Sequence, residues 1–343
     1  MTAEKTLSLF ACALAVCAFP AAAQNVKITP LGSHTGELCD RDRATIFEDP
    51  TGVRLLYDPG HTVAGADDPR LGTIHAVLLS HAHGDHIGDR KIKAVAAGPC
   101  SMTESIPSAS STTAEIAAGK NAAIVMTTDM AVFIGKKIQA ITGKPTPICP
   151  STGGAVSVPV AAPCRSNAHL GGTFVAKAPN ASQGVEITIV YASHANNVAP
   201  TLVSEPLRSQ LAADDAGLVL GPPTGLVVKF TNGLTVYLSG DTGIHTEMKN
   251  VVHDFHKANL AVINLGSSAI EPLAAAYAMN ELVQPASVIV SHVNEVGTQG
   301  GKVRPDSRTA MLISRLKGRP GYPAVSGRTM EFDGKGRCVA GCQ

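Results

Sequence analysis

Residues 80–86 read Ser80-His81-Ala82-His83-Gly84-Asp85-His86 and directly follow the apolar run Ala76-Val77-Leu78-Leu79. His81, His83, Asp85 and His86 bring four metal-capable side chains into six positions at the mouth of a buried strand. Alternate side chains of an extended segment share a face, which predicts that His81, His83 and Asp85 converge. His86 breaks the alternation and suits a second ion beside the first. Imidazole nitrogens with a carboxylate oxygen and no thiolate fit zinc, with iron or manganese as the alternatives. The competing reading is a surface loop rich in histidine, but such a loop would seldom close a hydrophobic strand.

Three more residues share the strand-end setting. Val185–Tyr191 leads into His194, Leu234–Leu238 into Ser239-Gly240-Asp241-Thr242-Gly243, and Ser287–Val290 into Ser291-His292. Residues at one edge of layered sheets meet in space though far apart in sequence. His81, His194, Asp241 and His292 therefore form one candidate site.

The elements that must position them are read from hydrophobic period and turn residues. Strands are expected at Val26–Leu31, Ala44–Glu48, Val53–Pro59 and Ile74–Ser80, then at Asn121–Thr127, Gly172–Lys177, Val185–Tyr191 and Leu260–Leu265. Asn232-Gly233 marks a hairpin joining Gly225–Phe230 to Leu234–Leu238. Helices are expected over Ile87–Val95, Met130–Ile141 (stopped by Gly143-Lys144-Pro145) and Pro272–Val283. Residues 97–120, 145–170 and 196–223 read as irregular insertions. Long loops of this kind often carry specificity, and the third could fold over the site as a lid.

Bulk properties narrow the class. Leu7–Phe19 is an apolar core preceded by Lys5 and followed by the small residues Ala21-Ala22-Ala23, the pattern of a secretory signal cleaved to leave Gln24 first. The apolar run is too short to span a bilayer, and neither Cys12 nor Cys17 has a lipoprotein setting. Residues 24–343 are long enough for one large single domain. A net charge of +1 without a basic stretch argues against nucleic acid as a partner. Cys39, Cys100, Cys149, Cys164, Cys338 and Cys342 remain after cleavage, and an even number in an exported chain favours disulfides. Cys100, Cys149 and Cys164 are expected to tie down insertions, with the C-terminal pair closing a short loop or reaching Cys39.

The order of these signals resembles the metallo-β-lactamase superfamily over most of the mature chain. It is specific in Val77–Asp89 and in Leu238-Ser239-Gly240-Asp241-Thr242-Gly243. Asp58-Pro59-Gly60 and the stretch from Leu265-Gly266 through Pro272 look like the metal-dependent hydrolase branch that includes ascorbate-phosphate lactonase. The resemblance implies a layered α/β fold, an αββα sandwich with a dinuclear metal site at one sheet edge. It implies His81, His83 and His194 on the first ion, Asp85, His86 and His292 on the second, and Asp241 bridging them. His169 competes with His194 but lies in a cysteine-bearing loop. Two ions sharing a hydroxide lower the pKa of water toward about 7, and Asp85 is the catalytic candidate that orients it or carries a proton. Asp58 or Asp89 would hold a ligand imidazole from behind.

A bridging aspartate at position 241 is typical of members that cleave lactones, esters or phosphodiesters, and those that destroy β-lactams generally lack it. An exported dinuclear-zinc hydrolase of a small-molecule substrate is therefore the leading expectation. The alternatives are a β-lactam hydrolase, a di-iron redox or thioester enzyme, and a metal-stabilised binding protein without turnover. Metal content separates the second, and an Asp85→Ala variant the third. Beyond the ligand set, His245 and Glu247 could assist a leaving group or simply face solvent. Glu295 could touch substrate or cap a helix, and Asn196 and Asn197 could line the pocket or make a turn. His34, His61, His75, His253 and His256 read as surface or strand-end residues.

Overall fold

The computed structural model describes residues 24–266 and 269–343. The expected signal segment, with Cys12 and Cys17, and the pair Ser267-Ser268 lie outside the described residues. Two eight-stranded mixed sheets face one another. The first runs Cys338–Ala340, Met330–Phe332, Val26–Leu31, Ala44–Glu48, Arg54–Tyr57, Ala76–Leu78, Ala123–Val125 and Cys164–Arg165. The second runs Gly321–Pro323, Ser287–Ser291, Leu260–Asn264, Thr235–Leu238, Thr224–Lys229, Val185–Tyr191, Thr173–Lys177 and Val156–Ser157.

The alternation of side chains explains the layers. Leu55, Tyr57, Ala76 and Leu78 point into the core between the sheets, whereas Leu56, Val77 and Leu79 point outward. Phe47 and Phe230 stack across the inner interface with centroids 6.0 Å apart. Outside the first sheet, helices Thr112–Lys120 and Thr128–Thr142 bury Ala114, Ile116, Ala117, Met130, Ile134 and Ile138. Outside the second, Met248, Val252, Ala275, Met279 and Leu312 seal the other face. The layer order is helix, sheet, sheet, helix, as expected. Among the described residues no helix is long and apolar enough to cross a membrane.

Several local expectations are corrected. Ile87–Val95 is not a helix: a short one covers Gly84–Ile87, and Arg90–Ile92 pairs with Ser105–Pro107. Gly88 ends the helix at φ +77°, where a Cβ would lie 2.7 Å from the Gly60 carbonyl oxygen. The 97–120 stretch is not irregular throughout, because Thr112–Lys120 is helical and Ser111 Oγ accepts the Ala114 N–H at 3.1 Å. Its alanines and threonines carry too little apolar contrast to reveal a helical period. The 145–170 stretch supplies one short edge strand to each sheet, and 196–223 contains a helix at Leu207–Ala213. Over Pro272–Val283 the helix changes from α to π winding at Ala278.

Disulfides join Cys39 to Cys100, Cys149 to Cys164 and Cys338 to Cys342. The first anchors the loop beyond residue 96, the second staples the 145–170 stretch, and the third closes the C-terminal turn.

Candidate metal centre

The site grows from strand ends. His81, His194 and Asp241 each lie three residues past their strands, Ala76–Leu78, Val185–Tyr191 and Thr235–Leu238. His292 follows Ser287–Ser291 immediately, with a left-handed backbone (φ +47°), an uncommon conformation for a non-glycine residue that clusters at functional positions. The first sheet delivers His81, His83, Asp85 and His86, and the second delivers His194, Asp241 and His292.

These seven side chains form three overlapping groups, His81–His83–His194, His81–His86–Asp241 and Asp85–His86–His292, with donor atoms inside each within 4.8 Å of one another. His81 Nε2 is 3.0 Å from His83 Nδ1, and the His194 ring packs 5.2 Å and 5.0 Å from those of His81 and His83. Asp241 stands between the clusters. Its Oδ1 is 3.4 Å from His86 Nε2, while its Oδ2 is 3.4 Å from His292 Nε2 and 3.8 Å from His194 Nε2.

Asp85 departs from the expected alternation. It sits on the helical turn Gly84–Ile87 rather than on an extended segment, so it joins His86 and His292 instead of His81 and His83. Its Oδ2 is 3.5 Å from His292 Nε2 and 4.0 Å from His86 Nε2. His169 is exposed in the 145–170 stretch, outside all three groups.

The donor set fits divalent ions. Among the described residues His86 Nε2 and His292 Nε2 are buried without a hydrogen-bond partner, although carboxylate oxygens lie close by. Buried polar nitrogens left unpaired are costly unless a third group takes up their lone pairs. Six nitrogen and carboxylate-oxygen ligand residues plus one shared carboxylate, without sulfur, suit zinc or a comparable first-row ion.

Charge follows the same division. Burial lowers the proton affinity of His81, His83 and His194, with neighbouring imidazoles adding to it, so these rings are neutral donors at working pH. Burial also opposes ionisation of Asp241, but His292 and His86 outweigh it and hold the carboxyl well below its usual range. Burial likewise disfavours a charged His86, yet Asp241, Asp58 and Asp85 push it up to about 10. Such a surplus of negative charge around one imidazole is a demand for a cation.

Supporting residues hold the donors in place. Asp58 Oδ2 lies 2.7 Å from His86 Nδ1 and accepts the Ser80 hydroxyl at 2.7 Å, and Asp58 Oδ1 accepts the Ser80 N–H at 2.8 Å. Of the two candidates for this role it is Asp58 that fills it, since Asp89 instead pairs with His61 at 2.6 Å and accepts the Thr201 hydroxyl. Asn264 Nδ2 donates to Asp241 Oδ1 at 3.1 Å, and the Tyr57 hydroxyl accepts the Gly240 N–H at 3.1 Å. Asn196 is buried rather than pocket-lining: its Oδ1 accepts the Ala82 N–H at 2.6 Å and its Nδ2 donates to the Leu220 carbonyl at 2.9 Å. Glu295 caps a helix by accepting the Thr309 N–H at 3.1 Å. Both ring nitrogens of His245 are buried and, among the described residues, unpartnered, with the ring edge-on to Tyr191.

Arg43 was not among the sequence candidates. Its guanidinium is buried and ion-paired with Asp85. Burial would raise the Asp85 carboxyl, but Arg43 and then His86 hold it far below the usual carboxylate range. A polar Asp40-Arg41-Asp42-Arg43 run reads as a solvated turn, and nothing in it marks one arginine as buried.

No family model matches the chain. It is 24% identical to a protein named UPF0173 metal-dependent hydrolase from Polynucleobacter asymbioticus, over 82% of this chain and 81% of that one. A protein of the same description from Koribacter versatilis is also 24% identical, over 81% of this chain and 89% of its own length. Among solved structures, Igni18, a metallo hydrolase from Ignicoccus hospitalis, superposes with a TM-score of 0.54 at 19% identity, over 90% of this chain and 99% of that one. An isothiocyanate hydrolase from Delia radicum gut bacteria superposes with a TM-score of 0.50 at 14% identity, with the same coverage. At these identities the structural likeness speaks to the fold.

Proposed function

We propose that this chain, a metal-dependent hydrolase of the metallo-β-lactamase fold, cleaves a lactone, ester or phosphodiester with two zinc ions after export from the cytoplasm. The observation that carries the reading is Asp241, whose Oδ2 lies 3.4 Å from His292 Nε2 of the second ligand set and 3.8 Å from His194 Nε2 of the first. A carboxylate so shared serves two cations better than one. His81, His83 and His194 would hold one ion, Asp85, His86 and His292 the other, and Asp241 both. When bound, such ions acidify a water toward neutral pKa and polarise the oxygen of the bond under attack.

The protein's own groups then divide the remaining work. Neutral His81, His83 and His194 present lone pairs without first losing protons. Asp58 and Ser80 fix the His86 ring, and Asn264 fixes one oxygen of Asp241. Asp85 stays ionised beside Arg43 and can accept a hydrogen bond from water; that pairing suits it to orienting the nucleophile and not to carrying a proton. The substrate is a small molecule, and the charge balance offers no track for a nucleic acid.

A screen of chromogenic lactones, esters, phosphodiesters and a cephalosporin, run with and without chelator, tests the reading. Turnover of one of the first three that chelator abolishes and zinc restores is expected. An Asp241→Asn variant should lose at least about 100-fold in kcat/KM, more than the about 10–100-fold that removing an outer partner of a ligand costs. Turnover indifferent to chelator, or confined to the cephalosporin, overturns the proposal. Export is tested by recovering the mature chain outside the cytoplasm with Gln24 as its first residue.

A further inference from the structure

A site built to hold cations contains a fixed cation of its own. Arg43 lies just ahead of the Ala44–Glu48 strand, and its side chain is 1% exposed. Its stem runs along Gly60, where an added Cβ would sit 3.1 Å from Arg43 Cδ. Its Nε donates to the Arg41 carbonyl oxygen at 3.2 Å, and its Nη1 donates to Asp85 Oδ2. Among the described residues, Asp85 is the acid with which Arg43 pairs. The oxygen it engages is the one that faces His292 Nε2 and His86 Nε2. Asp241, by contrast, has only histidines as ion-pair neighbours among the described residues.

We propose that Arg43 makes the two ion positions unequal: the His81–His83–His194 position fills tightly, and the Asp85–His86–His292 position fills weakly and exchanges. This rests on the ligand assignment above. An ion entering the second position must share Asp85 with a guanidinium that cannot shed its charge, in a buried setting where like-charge repulsion is strong. The first position has no such competitor. Arg43 is thus a positioning residue that sets the order of loading, and activity should track free zinc over a range in which the first position is already full.

Calorimetric zinc titration of the chelator-stripped full chain, with metal content measured after dialysis against graded zinc buffers, reads this without any substrate. The wild-type chain should take up two ions in steps at least about tenfold apart in Kd. Asp85→Asn should abolish the weaker step and leave the tighter one. Arg43→Gln should tighten the weaker step at least about tenfold without moving the other, and Arg43→Lys, which keeps the charge, should preserve the separation. Two ions bound with one affinity by the wild-type chain, loss of the tighter step in Asp85→Asn, or an unchanged or weakened second step in folded Arg43→Gln each overturns the inference. Equal steps in the wild-type isotherm overturn the inference even if Arg43→Gln does not fold, and Arg43→Lys against Arg43→Ala then tests whether the charge sets the separation. Unequal loading without turnover on any substrate would sink the hydrolase reading alone, and equal loading with turnover would sink this one alone. Failure to bind any zinc sinks both.

Discussion

Asp58 backs the site from behind one of its candidate ligands. Wholly buried, it sits at a positive φ of 40°, and its oxygens are spent on His86 and Ser80. Substitution by asparagine keeps the volume but replaces a carboxylate acceptor with an amide that can turn its donor toward Nδ1. The expected outcome for Asp58→Asn is a loss of about 10–100-fold in zinc affinity or kcat/KM, with an unchanged circular dichroism spectrum. Wild-type metal content and wild-type rate in this variant would show that His86 needs no such support. Asn196 acts differently, as a strut between the histidine loop and the 218–222 segment. Removing it leaves the Ala82 N–H and the Leu220 carbonyl without their partner, so Asn196→Ala should cost about 1–3 kcal/mol of stability by denaturant titration.

At the level of elements, what was legible in the chain is what repeats with period two. Val26–Leu31, Ala44–Glu48 and Val185–Tyr191 fall where hydrophobic runs bounded by turn residues put them. The strand-end rule then brought His81, His194, Asp241 and His292 to one edge: in the second sheet Leu238 lies beside Val262 in a parallel pair, and Val185–Tyr191 runs the same way as Thr235–Leu238 because both pair antiparallel with Thr224–Lys229. Illegible features depend on contacts between distant segments. Gly84–Ile87 is helical because Gly88 can turn left-handed against the Gly60 carbonyl, and no local period announces that. Arg43 is buried because Asp85, 42 positions later, meets it. Gly60 is the junction of both effects: at φ +54°, a Cβ there would fall 2.3 Å from the Asp85 carbonyl oxygen. Gly60→Ala should therefore displace the Gly84–Ile87 turn and weaken zinc uptake more than it lowers the melting temperature. A variant that melts lower yet binds zinc normally would contradict that linkage.

For the molecule as a whole, covalent and ionic ties hold the loops that surround the metal edge. Cys39–Cys100 closes a span of 61 residues, and losing it in a Cys39→Ser/Cys100→Ser variant should cost about 2–4 kcal/mol, read as a lowered melting temperature. Asp68 supplies a pH signature. Burial opposes its ionisation, but hydrogen bonds from Arg70 and the Ala64 N–H outweigh this and lower its folded pKa below 3.8. A carboxyl depressed on folding stabilises above its unfolded pKa and loses that contribution as pH falls through the folded one. Stability should thus decline on acidification below about pH 4, and Asp68→Asn should flatten that decline while being less stable at neutral pH. An acid limb of the same slope in both proteins would remove Asp68 from the account. The split origin of the ligands has a further consequence. Four come from the first sheet and three from the second, so a nascent chain cannot own a full set until residue 292 has been made and both sheets have docked. Metal capture is therefore expected late, as a seal set on finished assembly rather than a nucleus for it, and a released fragment ending before His194 should remain a poor chelator.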